Sequence, residues 1–389
     1  MISIVLGLAL SGALPAEHVS AERPGHCERP RWSRDGKHLA YRRWQDQTME
    51  LDVLWELKRE ERVLPEGAEP PSIEGAPAAG GDVWDELSAP AAEGAAPAQA
   101  CRHLTWGPAL QPDAFVFTCN AERGYRLYAQ GGQTLPVDAD AAEPAFNPAR
   151  DEIAYVSPEG IARLACRRLG RSCGWARGRP ESLVSGAGAE WVHPVWANEG
   201  RLVVERHEGT RSGDLWLVDP ALPSEKRALR LTDTEGKDRA AAVAPDGTRV
   251  AWFVRGQKAK RRGSQARGHE IRVMRLEPGA PSVVVATDAL LSEDGPAWTP
   301  DGKGIIYVRD QTGASDPLMH VRVPGETDSE RKRLRPTKLR APTLANRDPR
   351  VAATPKGWRV AVSAMGREGD DLKRSWRKIY VLELDPETL

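Results

Sequence analysis

The chain has 389 residues, enough for one large repeat domain or two ordinary ones, and its 55 Lys+Arg balance 55 Asp+Glu. That balance provides no global field to hold nucleic acid or an anionic membrane. Trp is abundant, 13 against 4 Phe, and many of the Trp recur at equivalent places.

At the N-terminus, Ile2 to Leu14 is apolar but shorter than the roughly 20 residues a spanning helix needs. Val19-Ser20-Ala21 supplies a small-x-Ala end, with Leu14-Pro15-Ala16 a weaker one, so residues 1–21 read as a secretory leader. The n-region carries no Lys or Arg, and the alternative is a buried N-terminal strand or helix. Cys27 lies well past the apolar run, which argues against a lipid anchor. The expected location is therefore periplasmic or secreted, an oxidising setting in which disulfides form. Cys166 and Cys173 bracket a short Arg/Gly-rich loop and are the expected pair; Cys101 with Cys119 is a second candidate, leaving Cys27 over.

From residue 22 onward one pattern repeats: often a Pro two residues before a large apolar anchor, then a polar turn, then an apolar strand. The anchors are read at Trp32, Leu110, Phe146, Trp196, Val243, Trp298 and Ala353. Gly follows four residues later at Gly36, Gly200, Gly247, Gly302 and Gly357, and an apolar residue nine later at Tyr41, Tyr155, Trp252, Tyr307 and Val362. Each copy reads as a hairpin whose Asp-Gly-type turn supplies the φ > 0 position. A third strand follows, as in residues 214–219 and 378–384, and then a short fourth segment such as Arg102 to Thr105 or Leu229 to Thr232. Four short strands per repeat make a propeller blade, whose two faces can be buried only against neighbouring blades. The expected fold is all-β, a single β-propeller over 22–389 with seven blades, or six if the copy at Leu110 is an inserted hairpin. Its last blade lacks a fourth strand, which residues 22–28 are expected to provide. Residues 62–100, rich in Ala, Pro, Gly and Glu, read as a disordered insertion, in which residues 82–87 could form a short docking helix.

The repeat, best seen from Trp32 to Tyr41, Trp298 to Tyr307 and Asp238 to Trp252, resembles the TolB-type, WD-like propeller family over residues 29–384. That resemblance implies a periplasmic protein-binding propeller. The family's TolB protein carries an α/β domain ahead of six blades; here the first repeat starts soon after the leader and seven repeats are counted.

Catalytic motifs are scarce. There is no G-x-S-x-G elbow, no H-E-x-x-H and no calcium-loop spacing, so no cofactor or metal is expected. His193 and Gly295 share one slot before the repeat's Pro, which makes His193 a positional variant. The basic run Lys258, Lys260, Arg261, Arg262 and Arg267 lies between the second and third strands of the fifth repeat, and a second run spans Arg331 to Arg340. The first run is the candidate contact for an envelope protein or anionic envelope polymer. The expected protein is a monomeric, non-enzymatic binding scaffold that neither spans a membrane nor binds nucleic acid. The alternatives are a channel-mouth lyase or hydrolase acting on a polymer, and a carbohydrate- or peptide-binding propeller.

Overall fold

The computed structural model describes residues 16–19, 26–45, 48–54, 84–87, 101–107, 114–120, 124–129, 134–137, 140–169, 172–175, 178–186, 188–197, 200–209, 213–234, 236–255, 269–311, 316–324, 334–355, 357–365 and 376–389. Within them the chain forms antiparallel sheets in sequence order. Sheet 1 comprises His26–Trp32, Leu39–Gln45, Thr48–Leu54 and Trp84–Leu87; sheet 2 comprises Cys101–Trp106, Phe115–Asn120 and Tyr125–Ala129. Sheet 3 comprises Ala142–Phe146, Glu152–Ser157, Gly160–Ala165 and Pro180–Ser185; sheet 4 comprises Glu190–Trp196, Leu202–His207, Asp214–Val218 and Ala228–Arg230. Sheet 5 comprises Asp238–Val243, Arg249–Arg255, His269–Arg275 and Val283–Ala289; sheet 6 comprises Ala297–Trp298, Gly304–Val308, Leu318–Arg322 and Thr337–Lys338. In sheet 7, Leu344–Thr354, Gly357–Met365 and Lys378–Leu384 are joined by Ala16–His18. A two-stranded ribbon, Arg167–Leu169 with Ser172–Gly174, projects from sheet 3.

The second strand of each sheet explains why the core is shared. Alternate residues point to opposite faces, and both faces are covered. Val204 packs toward sheet 3 while Val203 packs toward sheet 5. Ile305 likewise faces sheet 5 and Ile306 faces sheet 7. These strands are consequently continuous apolar runs, not alternating ones. The cluster of Cys27, Leu39 and Tyr41 with Ala361, Ile379 and Val381 joins sheet 1 to sheet 7, so the packing is cyclic. This is a β-propeller.

The hairpin turns form as their residues require. Gly36, Gly247 and Gly302 all have φ of 69°, and Gly200 has 77°. In sheet 6, Thr299 Oγ1 donates to Asp301 Oδ1 (2.6 Å) and accepts from Gly304 N (2.8 Å), while Lys303 N donates to Asp301 Oδ1 (3.0 Å). Ser33 and Asp35 make the same set in sheet 1.

Several expectations are corrected. The second anchor is Trp106, not Leu110: Cys101–Trp106 is the inner strand of sheet 2, so Arg102 to Thr105 is not a fourth strand. Pro108-x-Leu110, which follows in the sequence, mimics the repeat signal and lies outside the described residues. The seventh anchor is Val351, opposite Val360, because this hairpin continues to Thr354 before turning and Pro349 stands two before Val351. The strand that completes sheet 7 is Ala16–His18, not 22–28, because His26–Trp32 is already the inner strand of sheet 1. Trp84–Leu87 is no helix but the outer strand of sheet 1, opposite Leu51 to Leu54. The remainder of 62–100 lies outside the described residues.

Cys27, the leftover cysteine, is a buried thiol at the junction of sheets 1 and 7, where its carbonyl accepts from Ser363 Oγ (2.6 Å). It packs as a small apolar residue.

Candidate functional site

With the anchors corrected, the residue three before each one falls into a single set: Arg29, His103, Glu143, His193, Ala240, Gly295 and Asp348. All have positive φ, from 48° to 54° for the six that are not Gly and 85° at Gly295. In six of the sheets the inner-strand ladder also shifts register beside this residue. A bulge of this kind turns a side chain away from the pleat and leaves its N–H without a ladder partner. Carboxylates of the preceding sheet supply partners at two slots: His193 N donates to Glu143 Oε2 (2.7 Å), and Ala240 N to Glu205 Oε1 (2.5 Å).

Five slot residues, Arg29, His103, Glu143, His193 and Ala240, line one cavity of about 300 Å³ together with Arg31, Glu293 and Asp294. A cavity of that size suits a small polar group or a single sugar or side chain. Two larger grooves, about 710 and 550 Å³, lie along sheets 5 and 6. The charged groups with displaced pKa converge on the smaller cavity, which marks it as the functional candidate.

His193 Nδ1 lies 3.1 Å from Glu143 Oε2. Burial opposes charge on Glu143, but the hydrogen bond and positive charge of His193 outweigh it and hold the carboxyl down at about 2. Burial likewise opposes charge on His193, yet the Glu143 bond and charge raise its imidazole to about 9. His103 moves the other way. Burial, aided by Arg29 and Arg31 and opposed by Glu143, lowers it to about 4. Its Nδ1 is buried with no hydrogen-bond partner. At neutral pH the cavity therefore holds an imidazolium on sheet 4 and a neutral imidazole on sheet 2.

Beside these groups lies a charge network spanning sheets 6, 7 and 1. Asp294, ahead of sheet 6, pairs with Arg31 of sheet 1 and with Arg350 of sheet 7, the latter at 3.4 Å. Burial alone would raise the Asp294 carboxyl, but Arg31, Arg350 and Arg29 hold it well below the usual range. Arg350 also donates to the Gly295 carbonyl (3.0 Å), and Arg29 pairs with Glu293. Asp348 is pushed up, by burial first and by the Asp294 charge second.

The anchors contribute more than packing. Trp106 Nε1 donates to Arg31 O (2.9 Å), Trp196 Nε1 to Ala145 O (2.7 Å) and Trp298 Nε1 to Ala242 O (2.9 Å). Trp32 Nε1 completes the set by donating to Arg350 O (3.1 Å). Each acceptor is the carbonyl immediately before the anchor of the preceding sheet, so every Trp anchor bolts two neighbouring inner strands together.

The basic run Lys258, Lys260, Arg261, Arg262 and Arg267 lies outside the described residues. The strand ends that bear it are described: Arg255 is opposite His269, and Val254 is opposite Asp238, two residues from Ala240. In the second run, Thr337–Lys338 is the outer strand of sheet 6. Sequence reading identified the shared slot of His193 and Gly295 but not its meaning; the x-Pro-x-anchor pattern at residues 29, 143, 193, 295 and 348 was the available signal.

Among the described residues no helix is long and apolar enough to cross a membrane, and no three His, Cys, Asp or Glu cluster as a metal site. No protein-family model and no curated protein matches the chain. Solved structures do. The oligogalacturonate lyase of Vibrio parahaemolyticus matches with a TM-score of 0.56 at 12% identity, over 96% of this chain and 98% of that one. The β-propeller domain of Myceliophteria thermophila Cps50 (Swd1) matches with a TM-score of 0.54 at 13% identity, over 95% and 100%. TolB from Acinetobacter baumannii matches with a TM-score of 0.38 at 16% identity, over 69% of this chain, which spans 60% of TolB's length. At these identities the likeness is one of fold.

Proposed function

We propose that this chain is an exported, seven-bladed propeller that binds an anionic envelope protein or polymer at its channel mouth without converting it. The observation that carries this reading is the convergence of Arg29, Arg31 and the His193 imidazolium on one cavity. Glu293 is engaged by Arg29, Glu143 by His193, and Asp294 by Arg31 and Arg350. Each guanidinium offers five N–H donors and an imidazolium two, so donors beyond these pairings can reach a ligand. A carboxylate or similar acceptor-rich group is what such a cavity accommodates, and the basic run Lys258 to Arg267 is proposed as a second contact for the same anionic partner. The histidines support binding over turnover. General acid–base catalysis works best with a pKa near the working pH, whereas His103 at about 4 and His193 at about 9 stand far to either side.

The cysteines fit an exported protein. Pairs Cys101–Cys119 and Cys166–Cys173 are part of this proposal, supported by the register opposing Cys101 to Cys119 and by the bonded state of Cys119 and Cys166.

The second reading is a channel-mouth lyase or hydrolase on a polymer, favoured by the convergence of His103, Glu143 and His193 on one cavity. One experiment separates the two: calorimetric titration with oligogalacturonate, an acidic peptide and a neutral oligosaccharide, followed by chromatography of the ligand recovered. Binding of an acidic ligand unchanged, weakened about tenfold by Arg31→Gln, which is ~1.4 kcal/mol, is the expected result. Ligand recovered as cleaved product would establish the enzyme instead, and equal binding of the neutral oligosaccharide would refute the anion site.

A further inference from the structure

We infer that the groove beside sheet 6, which shares no lining residue with the channel cavity, binds a small phosphorylated ligand of the sugar monophosphate class through Arg249, Lys303, His320, Arg322 and Arg335. This second site is separate from the anion site of the cavity and is independent of what the channel binds.

His320 departs from the pattern of the repeat. It pairs with Ile306, the residue after the anchor's partner Ile305. In five of the other six sheets the same place holds an apolar residue: Val53, Ala129, Leu217, Val273 and Val381. A buried polar group in such a place ordinarily has a hydrogen-bond partner. His320 is only 5% exposed, yet among the described residues none hydrogen-bonds to its ring. The ring lies over Gly304, where a Cβ would collide with Nε2, and it lines the groove. Burial, aided by Arg322 and opposed by Asp301, lowers its pKa. At neutral pH it is therefore an uncharged imidazole with one N–H to donate and one lone pair to accept.

Around His320 the groove is cationic. Its volume of about 550 Å³ is that of a small-ligand pocket, and Arg249, Lys303, Arg322 and Arg335 line it with no Asp or Glu among the lining residues. Arg249 is held in place: it donates to Gly302 O (2.8 Å) and lies 5.3 Å from the Trp298 ring centroid. Lys303, Arg322 and Arg335 are exposed, and among the described residues no carboxylate forms an ion pair with them. The acids nearby are engaged. Asp301 accepts from Thr299 Oγ1 (2.6 Å) and Lys303 N (3.0 Å), and Asp246 from Thr248 N (3.0 Å) and Arg249 (3.3 Å). A carboxylate would bring one charge to these four cations, whereas a phosphate monoester brings about −1.5 to −2 and three acceptor oxygens. Guanidinium forks match its geometry. Val323, Pro324 and Leu334 form an apolar wall for a sugar ring, and the lining residues include no Phe, Tyr or Trp on which a nucleobase would stack.

The test is calorimetric titration of the full chain with glucose-6-phosphate, with glucose, galacturonate and inorganic phosphate as competitors. Glucose-6-phosphate is expected to bind, inorganic phosphate to displace it, and glucose and galacturonate to leave it in place. Arg322→Gln combined with Arg335→Gln changes two exposed side chains, so the fold is retained, and binding should weaken at least about tenfold. His320→Val installs the residue that sheet 5 has at this place and should weaken binding while leaving the circular dichroism spectrum unchanged; if that variant does not fold, the Arg322/Arg335 pair decides. Arg31→Gln should not affect glucose-6-phosphate, so this site and the channel site fail separately. No binding, displacement by galacturonate, undiminished binding by the Arg322/Arg335 variant, or loss on Arg31→Gln would each overturn the assignment. Co-sedimentation with phosphatidate vesicles without binding of glucose-6-phosphate would replace the soluble ligand with a lipid headgroup and refute the sugar phosphate.

Discussion

At the scale of single residues, position in the repeat decides what a side chain is for. Gly36 and Gly302 occupy the same turn with the same φ of 69°, yet their surroundings differ. A Cβ at Gly302 would meet nothing nearer than an Arg249 guanidinium nitrogen at 3.5 Å, whereas at Gly36 it would meet the Ala353 carbonyl of sheet 7 at 2.9 Å. Gly302→Ala should therefore cost only the left-handed backbone penalty, about 1–2 kcal/mol. Gly36→Ala should cost measurably more, because a backbone atom of a neighbouring sheet must also shift. Urea unfolding midpoints of the two variants check the order; equal losses would mean that sheet 7 yields freely. These glycines, and the buried closers Tyr41, Tyr155, Trp252 and Tyr307, were legible in the sequence because turn conformation and strand alternation are local properties. The anchors at Trp106 and Val351 were not. A Pro-x-apolar triplet also occurs by accident in the sequence after Gly107, and only strand pairing tells the copies apart.

At the scale of elements, the propeller is assembled from neighbouring inner strands joined by Trp anchors. Trp196 is buried, and its indole N–H reaches the Ala145 carbonyl of sheet 3 at 2.7 Å. Trp196→Phe keeps most of the ring's packing but removes that donor, so it should destabilise the protein by about 1–2 kcal/mol. Chemical unfolding monitored by circular dichroism provides the measurement, and a loss below a few tenths of a kcal/mol would reduce the anchor to a space-filling role. From sequence alone these Trp read as core residues. The acceptor is a main-chain carbonyl some fifty residues upstream, or at the other end of the chain in the case of Trp32, and no local pattern encodes it. The outer strands were similarly elusive: Trp84–Leu87 is four residues within an Ala/Pro/Gly-rich stretch, and its pairing with Leu51 to Leu54 supplies what its composition does not.

At the scale of the whole molecule, the seven slot residues share a positive φ, and five of them line one cavity. The His193–Glu143 pair joins sheets 4 and 3, and its titration should be visible in stability. A folded pKa raised from 6.5 to about 9 contributes stability that is complete below about pH 6.5 and is lost as pH rises through about 9. Glu143, lowered from 4.5 to about 2, contributes above about pH 4.5 and loses its contribution as pH falls toward 2. His103, lowered from 6.5 to about 4, contributes above about pH 6.5 and loses its contribution as pH falls through about 4. The melting temperature should accordingly be highest near neutrality and fall on both sides. His193→Gln should flatten the alkaline fall between pH 6.5 and 9 while retaining the acid fall due to His103. Thermal melts across pH 4 to 10 test this, and an alkaline limb identical to wild type would show that the ion pair does not contribute.

The repeat, its hairpins, the glycine turns and the all-β class were determined by the sequence by itself, since each follows from residues within about ten positions of one another. Even the special slot was visible as a position, in His193 and Gly295 before the repeat's Pro. Tertiary structure alone decided which residues close the ring and which face the cavity. The strand completing sheet 7 comes from Ala16–His18, and Asp294 pairs with Arg31 and Arg350, contacts between segments far apart in the chain. Strand alternation specifies which face a residue occupies but not which neighbouring sheet covers it. That choice is made only when the sheets pack around a common centre and bring five slot residues to one cavity.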